Sequence, residues 1–449
     1  MTGGQEHRAP AVENVAPATR GQRAWLLTVL VSVYASNFVD RTIVTILQQP
    51  IKVELGLADW QLGLLGGTTF ALFYTTVGLW VARAAEKGDR VTVMTVCIIA
   101  WSAFTALCGF VTSFAQLLLL RVGVAVGEAG ATPTGHSLIS DHYPVERRAG
   151  AIAIFASGNT IGNVLGAVLA ATVGATYGWR WAFVVAGAPG LILAAITRLT
   201  LKDPRKALPP ADVPPLIEVA RLLWAKPTFR QMVLAGSIML FGAYAVIQFA
   251  TPHMMRTFAL SLGWASIVGG VGTGLALGAG TIGGGFLAQR LAVRDRRWLL
   301  WSVGGAMALA APLCLLAFTT SAMGPAIVFF LAMMACLGVF QGPFFGSLHS
   351  LVQPRMRATA TAIMLLVITL FGLGLGPLAM GLASDRIAAA TYGADFDTLC
   401  RAGTAADAAC RTASATGLRI ALAACGAVFA WASVHFLLAA RTMRANAVD

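Results

Sequence analysis

Four ionisable side chains sit where ionisable side chains are costly. Asp40 and Arg41 interrupt the apolar stretch 32–49, "SVYASNFVDRTIVTILQQ", and Arg121 and Glu128 interrupt the apolar run 116–139. Residues four or seven apart share a helix face. Ser36 and Asp40, Asn37 and Arg41, and nearby Thr45 and Gln48 therefore give the first run a polar stripe. Arg121, Glu128 and Thr132 give the second run another. An ionisable residue within a membrane helix costs about 2.5–3.5 kcal/mol on insertion scales and is a functional candidate by default. Burial favours a protonated carboxyl and a neighbouring guanidinium opposes it, so an acid beside an arginine can exchange a proton as its surroundings change. Arginine stays charged and can receive an anion through two parallel bonds. The pattern fits proton exchange at Glu128 and Asp40, with Arg41, Arg121 and Asn37 serving a head group or a charge network. The competing reading is an ion-pair network that only locks two helices together. Buried pairs stabilise little, because desolvation offsets most of the attraction.

Long apolar helices must position these residues. Of 449 residues, 57% are hydrophobic and 11% charged, against about 25% charged in a soluble protein. Runs of about 20 apolar residues can span the hydrocarbon core. They cover 25–48, 61–81, 91–112, 116–139, 149–175 and 181–199, then 232–255, 263–287, 298–319, 325–348, 358–382 and 417–439. The expected fold is an all-α membrane protein with twelve spans in two six-helix bundles, 23–200 and 231–440. A Pro-rich, charged linker, 201–230, separates them and has room for one surface helix over 215–224. Residues 1–22 and 441–449 read as polar tails, the first without a cleavable leader. The net charge of +13 would suggest nucleic acid in a soluble protein. Here most Lys and Arg fall on the side that holds both termini, the bias that marks cytoplasmic segments. A multi-pass protein of the plasma (inner) membrane, with both termini cytoplasmic and no nucleic-acid partner, is expected.

The halves echo each other. "YPVERRAGAIAI" (143–154) precedes the fifth span and "VQPRMRATATAI" (352–363) the eleventh, aligning Arg148 with Arg357. "GLWVARAAEKGDR" (78–90) follows the second span and "GGGFLAQRLAVRDRR" (283–297) the eighth. A carboxylate in such a loop can pair with Arg side chains and a helix N-terminus of the other half. Glu86, Lys87, Arg90, Arg148 and Arg357 are therefore candidate gating residues. A solvated basic loop is the alternative, and Gln289, standing where the second acid belongs, favours it in the second half.

The loop 78–90 resembles the major facilitator pattern Gly-x-x-x-Asp-Arg/Lys-x-x-Arg, with Ala82 and Glu86 as departures. Residues 40–83, "RVGVAVGEAGATPTGHSLISDHYPVERRAGAIAI" (121–154) and "GWRWAFVVAGAPGLILA" (178–194) resemble the spinster branch of that superfamily, as does "PFFGSLHSLVQPRMRATATA" (343–362) more weakly. The resemblance implies alternating access and a lipid-like cargo such as a lysophospholipid or sphingoid phosphate, often with proton coupling. Drug efflux or small organic anion transport is the alternative on the same fold, and a non-transporting receptor or scaffold is a third reading. A monomer in contact with membrane lipids is expected.

Cys400 and Cys410 share an expected outside loop, 385–416, and can form a disulfide if it faces an oxidising compartment. The other five cysteines lie in spans and read as packing residues. Methionines concentrate in the second half, including Met239, Met254, Met255, Met333, Met334 and Met364, and face lipid or line a tail pocket. Isolated histidines such as His136, His253, His349 and His435 read as satisfied residues near helix ends. Gly158, Gly162 and Gly166, Gly278 to Gly285, and Gly372 to Gly381 permit close helix approach. No phosphate loop, HExxH or paired CxxC is present, so no metal, cofactor or enzymatic activity is expected.

Overall fold

The computed structural model describes residues 19–203, 216–353, 356–393, 396–400 and 408–446. Most of the 1–22 tail, 204–215 of the linker and 401–407 of the expected loop lie outside that set, as do the side chains of Glu86, Lys87 and Arg148. The spans are α1 (Arg20–Ile46), α2 (59–87), α3 (Arg90–Phe110), α4 (Phe114–His142), α5 (Gly150–Tyr177) and α6 (Trp179–Thr200). They continue with α7 (Pro227–Phe258), α8 (Leu262–Ala292), α9 (Trp298–Thr319), α10 (Met323–His349), α11 (Thr359–Tyr392) and α12 (Ala408–Asn446). Among the described residues, eleven helices are long and apolar enough to cross a membrane. The twelfth, α2, is assembled from Asp59–Gly63, a π turn at Leu64–Thr68 and Thr69–Lys87.

Local chemistry sets the helix ends. Thr19 and Gln22 form a capping box at the start of α1, Asp89 accepts from the Val91 N–H at α3, and Ser113 caps α4. The first helix stops at Ile46 because Pro50 has no N–H to return to that carbonyl. A short helix, Gln48–Leu55, follows and ends on Gly56 at φ 64°. The linker helix is Leu216–Ala225, one residue beyond the expected one. The expected loop 385–416 is largely helical, since α11 runs on to Tyr392 and α12 begins at Ala408. Its Ala-rich flanks are good helix formers.

Packing repeats between the halves. In the first, α1 packs on α5, α3 on α6, and α2 and α3 on α4; in the second, α7 packs on α11, α9 on α12, and α8 and α9 on α10. The halves meet where α2 touches α11 and α5 touches α8. Both α2 and α8 carry a π turn at that meeting, Leu64–Thr68 and Ile267–Gly272. At Gly63 an added Cβ would lie 2.2 Å from the Pro377 carbonyl oxygen. Only glycine lets the two backbones approach this closely. Every hydrogen bond between described residues of opposite halves arises from 45–68 of the first half. The halves are thus fastened at mid-depth and at the end away from the termini, called the far end below.

Candidate functional site

At mid-depth, Arg41 Nε donates to Glu128 Oε2 at 2.7 Å. The Glu128 side chain is fully buried, whereas that of Arg41 is 26% exposed. The pair therefore has a dry end inside the first half and an open end. The Arg41 guanidinium lies 4.3, 4.8 and 5.1 Å from the ring centroids of Phe70, Tyr74 and Phe38. Arg121 approaches the Phe70 ring from 5.9 Å. Aromatic faces compensate a cation that has shed water. Tyr34 packs on Phe38 and Phe155, and the Tyr74 hydroxyl meets that of Thr132 at 3.4 Å.

Close backbone packing aims these groups. At Gly127 an added Cβ would sit 2.6 Å from the Trp101 backbone nitrogen, so α4 presses on α3 and turns Glu128 inward. At Gly162 it would sit 2.3 Å from the Ala35 carbonyl oxygen, and Thr42 bonds Asn163 at 2.7 Å. These contacts seat α1 on α5. Asp40 is fully buried with no hydrogen bond to either carboxyl oxygen, and Arg121 Nε and Nη1 also lack one. Asn37 Nδ2 and Glu128 Oε1 are neighbours without a bond of normal geometry. The Thr105 hydroxyl likewise neighbours the Asp40 carboxylate without a bond of normal geometry, and the Ser102 hydroxyl is unbonded among the described residues. The four charges thus share one buried region, but only Arg41 and Glu128 are joined directly.

Arg41, Thr45 and Gln49 lie one turn apart and lead toward the far end. Thr45 shares a hydrogen bond with Gln248 of α7 at 3.2 Å, and Arg256 Nε donates to Gln49 at 2.8 Å. There an ion-pair cluster crosses the halves. Arg256 donates to both carboxyl oxygens of Asp59, at 2.7 and 2.8 Å. Lys52 and Ser384 donate to the same carboxylate at 2.6 and 2.7 Å. Asp385 accepts from the backbone N–H groups of Asp59 and Trp60 at the start of α2, where the helix dipole favours an anion. Burial, then the charge of Arg256, holds the Lys52 ammonium below its ordinary pKa although Asp59 pulls the other way.

Sequence reasoning missed the aromatic cage and this latch. Phe70 and Tyr74, like Tyr34 and Phe38, are four apart, a spacing that packing alone also produces. Lys52, Asp59, Arg256 and Asp385 fall near span ends, where charges are ordinary; the signal was an acid at the start of α2 followed by Gln61, whose side chain caps the Ala58 N–H.

Arg90 is 1% exposed and binds Asp203, Ser137 and Asp141. In this conformation it ties α3 to the ends of α4 and α6 within its own half. Arg357 stands exposed at the start of α11. A disulfide joins Cys400 and Cys410, with Cα atoms 5.4 Å apart. Met239, Met254, Met333, Met334 and Met364 fill the core of the second half rather than facing lipid or a pocket. Added Cβ atoms at Gly278, Gly283 and Gly285 would meet nothing, whereas Gly280 and Gly284 hold α8 against α10. His349 and His435 have side-chain hydrogen-bond partners, His253 meets Thr257, and His136 packs edge-on to Phe155.

The Major Facilitator Superfamily model matches residues 30–377. A protein of Mycolicibacterium smegmatis described as an MFS-type efflux pump is 34% identical over 372 residues, spanning 82% of this chain and 86% of that protein. A probable L-galactonate transporter of Escherichia coli is 27% identical over 179 residues, 39% of each chain. A bacterial homologue of the human lysosomal transporter Spinster, solved in an inward-facing and unoccupied conformation, superposes with a TM-score of 0.85 at 32% identity, covering 96% of this chain and 100% of that one. The paired six-helix bundles, their repeated packing and these matches lead to one conclusion: this chain belongs to the major facilitator superfamily, is a transporter rather than an enzyme, and resembles the spinster branch.

Proposed function

We propose that the protein is a proton-coupled secondary transporter that moves an anionic amphiphile, of lysophospholipid or sphingoid-phosphate type, by alternating access. The observation that carries this reading is the half-open Arg41–Glu128 pair inside its aromatic cage. Protonating Glu128 removes the negative partner of Arg41 and frees the guanidinium for an anionic head group. Rebinding of Arg41 by the carboxylate expels the head group and the proton together or in turn, which couples the two. Asp40, buried and without a direct partner, is the second proton-exchanging candidate, and Arg121 balances it. The phenyl and phenol rings beside Arg41 offer an apolar seat for the chain that follows the head group.

The Lys/Arg bias supports cytoplasmic termini, and the reading takes the membrane as the plasma (inner) membrane. On that orientation the far-end latch faces outside and the fastened halves are inward-facing. The chain works as a monomer, since each central group comes from within one chain. Glu86, Lys87, Arg90, Arg148 and Arg357 would fasten the cytoplasmic end in the opposite state.

A second reading, drug efflux or small organic anion transport through the same site, is favoured by the efflux-pump and galactonate-transporter relatives. Proteoliposomes given a pH gradient and labelled lysophosphatidate test the first. Glu128→Gln is expected to abolish dependence on the gradient; unchanged pH-coupled flux would overturn the assignment. Flux of a drug or galactonate but not lysophosphatidate would select the second reading.

A further inference from the structure

At the far end, directly over the latch, lies a cavity of about 710 Å³ shared by both halves. Gln49 and Lys52 line it from the first half; Arg256, Asp385 and Arg419 line it from the second. This volume is within the usual range for sites that take one organic ligand, about 300–1,000 Å³. Its floor is the Lys52–Asp59–Arg256 cluster. The Cys400–Cys410 bridge borders it beside the buried ring of Phe396. Met255, Leu57 and Leu260 give it an apolar wall.

The charges in this cavity are unequal in their commitments. Lys52 and Arg256 are spent on Asp59, and Asp385 on the start of α2. Arg419 is half-buried, lines the cavity and has no hydrogen bond or ion pair among the described residues. A partly desolvated guanidinium without an anion is costly unless one arrives. It also presents a planar fork suited to phosphate or carboxylate. The central site is separate, since the Thr45–Gln248 bond lies between the two.

We propose that this cavity is a second, outside-facing binding site for an anionic amphiphile, whose head group sits on Arg419 and competes with Asp59 for Arg256, so that occupancy unfastens the halves. The head group, a phosphate or carboxylate, replaces one ion-pair partner of Arg256 by another, and the apolar wall receives the first part of the chain. The latch thereby becomes responsive to ligand outside. The inference takes from the proposed function only the side on which the cavity lies and the ligand's class; the site itself does not depend on Arg41 or Glu128.

Binding is measured on purified protein in nanodiscs. The probes are lysophosphatidate and its acyl-free counterpart, glycerol 3-phosphate. An Arg41→Gln background blanks the central site. Residual lysophosphatidate binding is expected there and should weaken at least about tenfold when Arg419→Gln is added, while Arg419→Lys, which keeps the charge but loses the fork, should bind between the two. Opening is read as the distance between spin labels at Tyr177→Cys and Ala322→Cys, both exposed at the far end, in a Cys336→Ser background. Lysophosphatidate should lengthen it, and Arg419→Gln should remove the response. Absence of residual binding, binding indifferent to Arg419→Gln, or binding without lengthening would each overturn the proposal. Equal binding of glycerol 3-phosphate would overturn the amphiphile assignment. Should Glu128→Gln keep pH-coupled flux, the proposed function fails while these results stand.

Discussion

Replacing Asp59 by Asn isolates the latch from the transport site. The Asp59 carboxylate is 1% exposed and receives Arg256 twice, Lys52 once and Ser384 once, all within 2.8 Å. The amide keeps the shape and can still accept, but it loses the charge that neutralises the buried Arg256 and the partly buried Lys52. Breaking a buried pair costs about 3–5 kcal/mol. Because Asn retains part of the bonding, the low end applies, about 3 kcal/mol, or about 10²-fold in the equilibrium. The cost falls on the fastened state, since unfastening lets water reach Lys52 and Arg256. A minor state of a two-state protein is populated at about 0.1–10%, so a shift of this size raises the unfastened state to between about 10% and about 90%. Spin labels at Tyr177→Cys and Ala322→Cys read the change directly. Asp59→Asn should move at least about a tenth of the distance distribution to longer values without ligand. An unchanged distribution in a protein that still elutes as a folded monomer would refute the latch.

Lys52→Met should be far milder than Asp59→Asn. Burial and Arg256 already disfavour its charge, and an apolar side chain can replace a buried ion at little cost, so the same labels should show less than about a tenfold shift. A base held below its ordinary pKa penalises the fastened state most while it is charged. Raising pH through that lowered value should favour the short distance, and Lys52→Met should abolish this response. Gly63→Ala, which places a methyl against the Pro377 carbonyl, should also lengthen the distance while leaving each half folded. Gly162→Ala, inside the first half, should instead lower the melting temperature and expression, and Gly278→Ala, which meets nothing, should do neither. Arg41→Lys keeps the charge but loses the planar fork and ring stacking, so lysophosphatidate binding in the central site should weaken about tenfold or more, read in an Arg419→Gln background.

What the sequence determined by itself was set by local physics. Apolar length produced the spans, Lys/Arg bias suggested an orientation, and the echo of Arg148 in Arg357 exposed a repeat that the packing of α1 on α5 and α7 on α11 carries into three dimensions. Asp40, Arg41, Arg121 and Glu128 stood out because a charge in an apolar run is costly wherever the helix goes. Tertiary structure alone decided the partners. It joined Arg41 to Glu128, left Asp40 without a direct bond, and surrounded the guanidinium with rings from α1 and α2. It also turned Lys52, Asp59, Arg256 and Asp385 into a latch. Those residues sit near the ends of the apolar runs, where a charge costs little and stands out only weakly. Their importance arises only when two halves, far apart in the chain, bury them against each other.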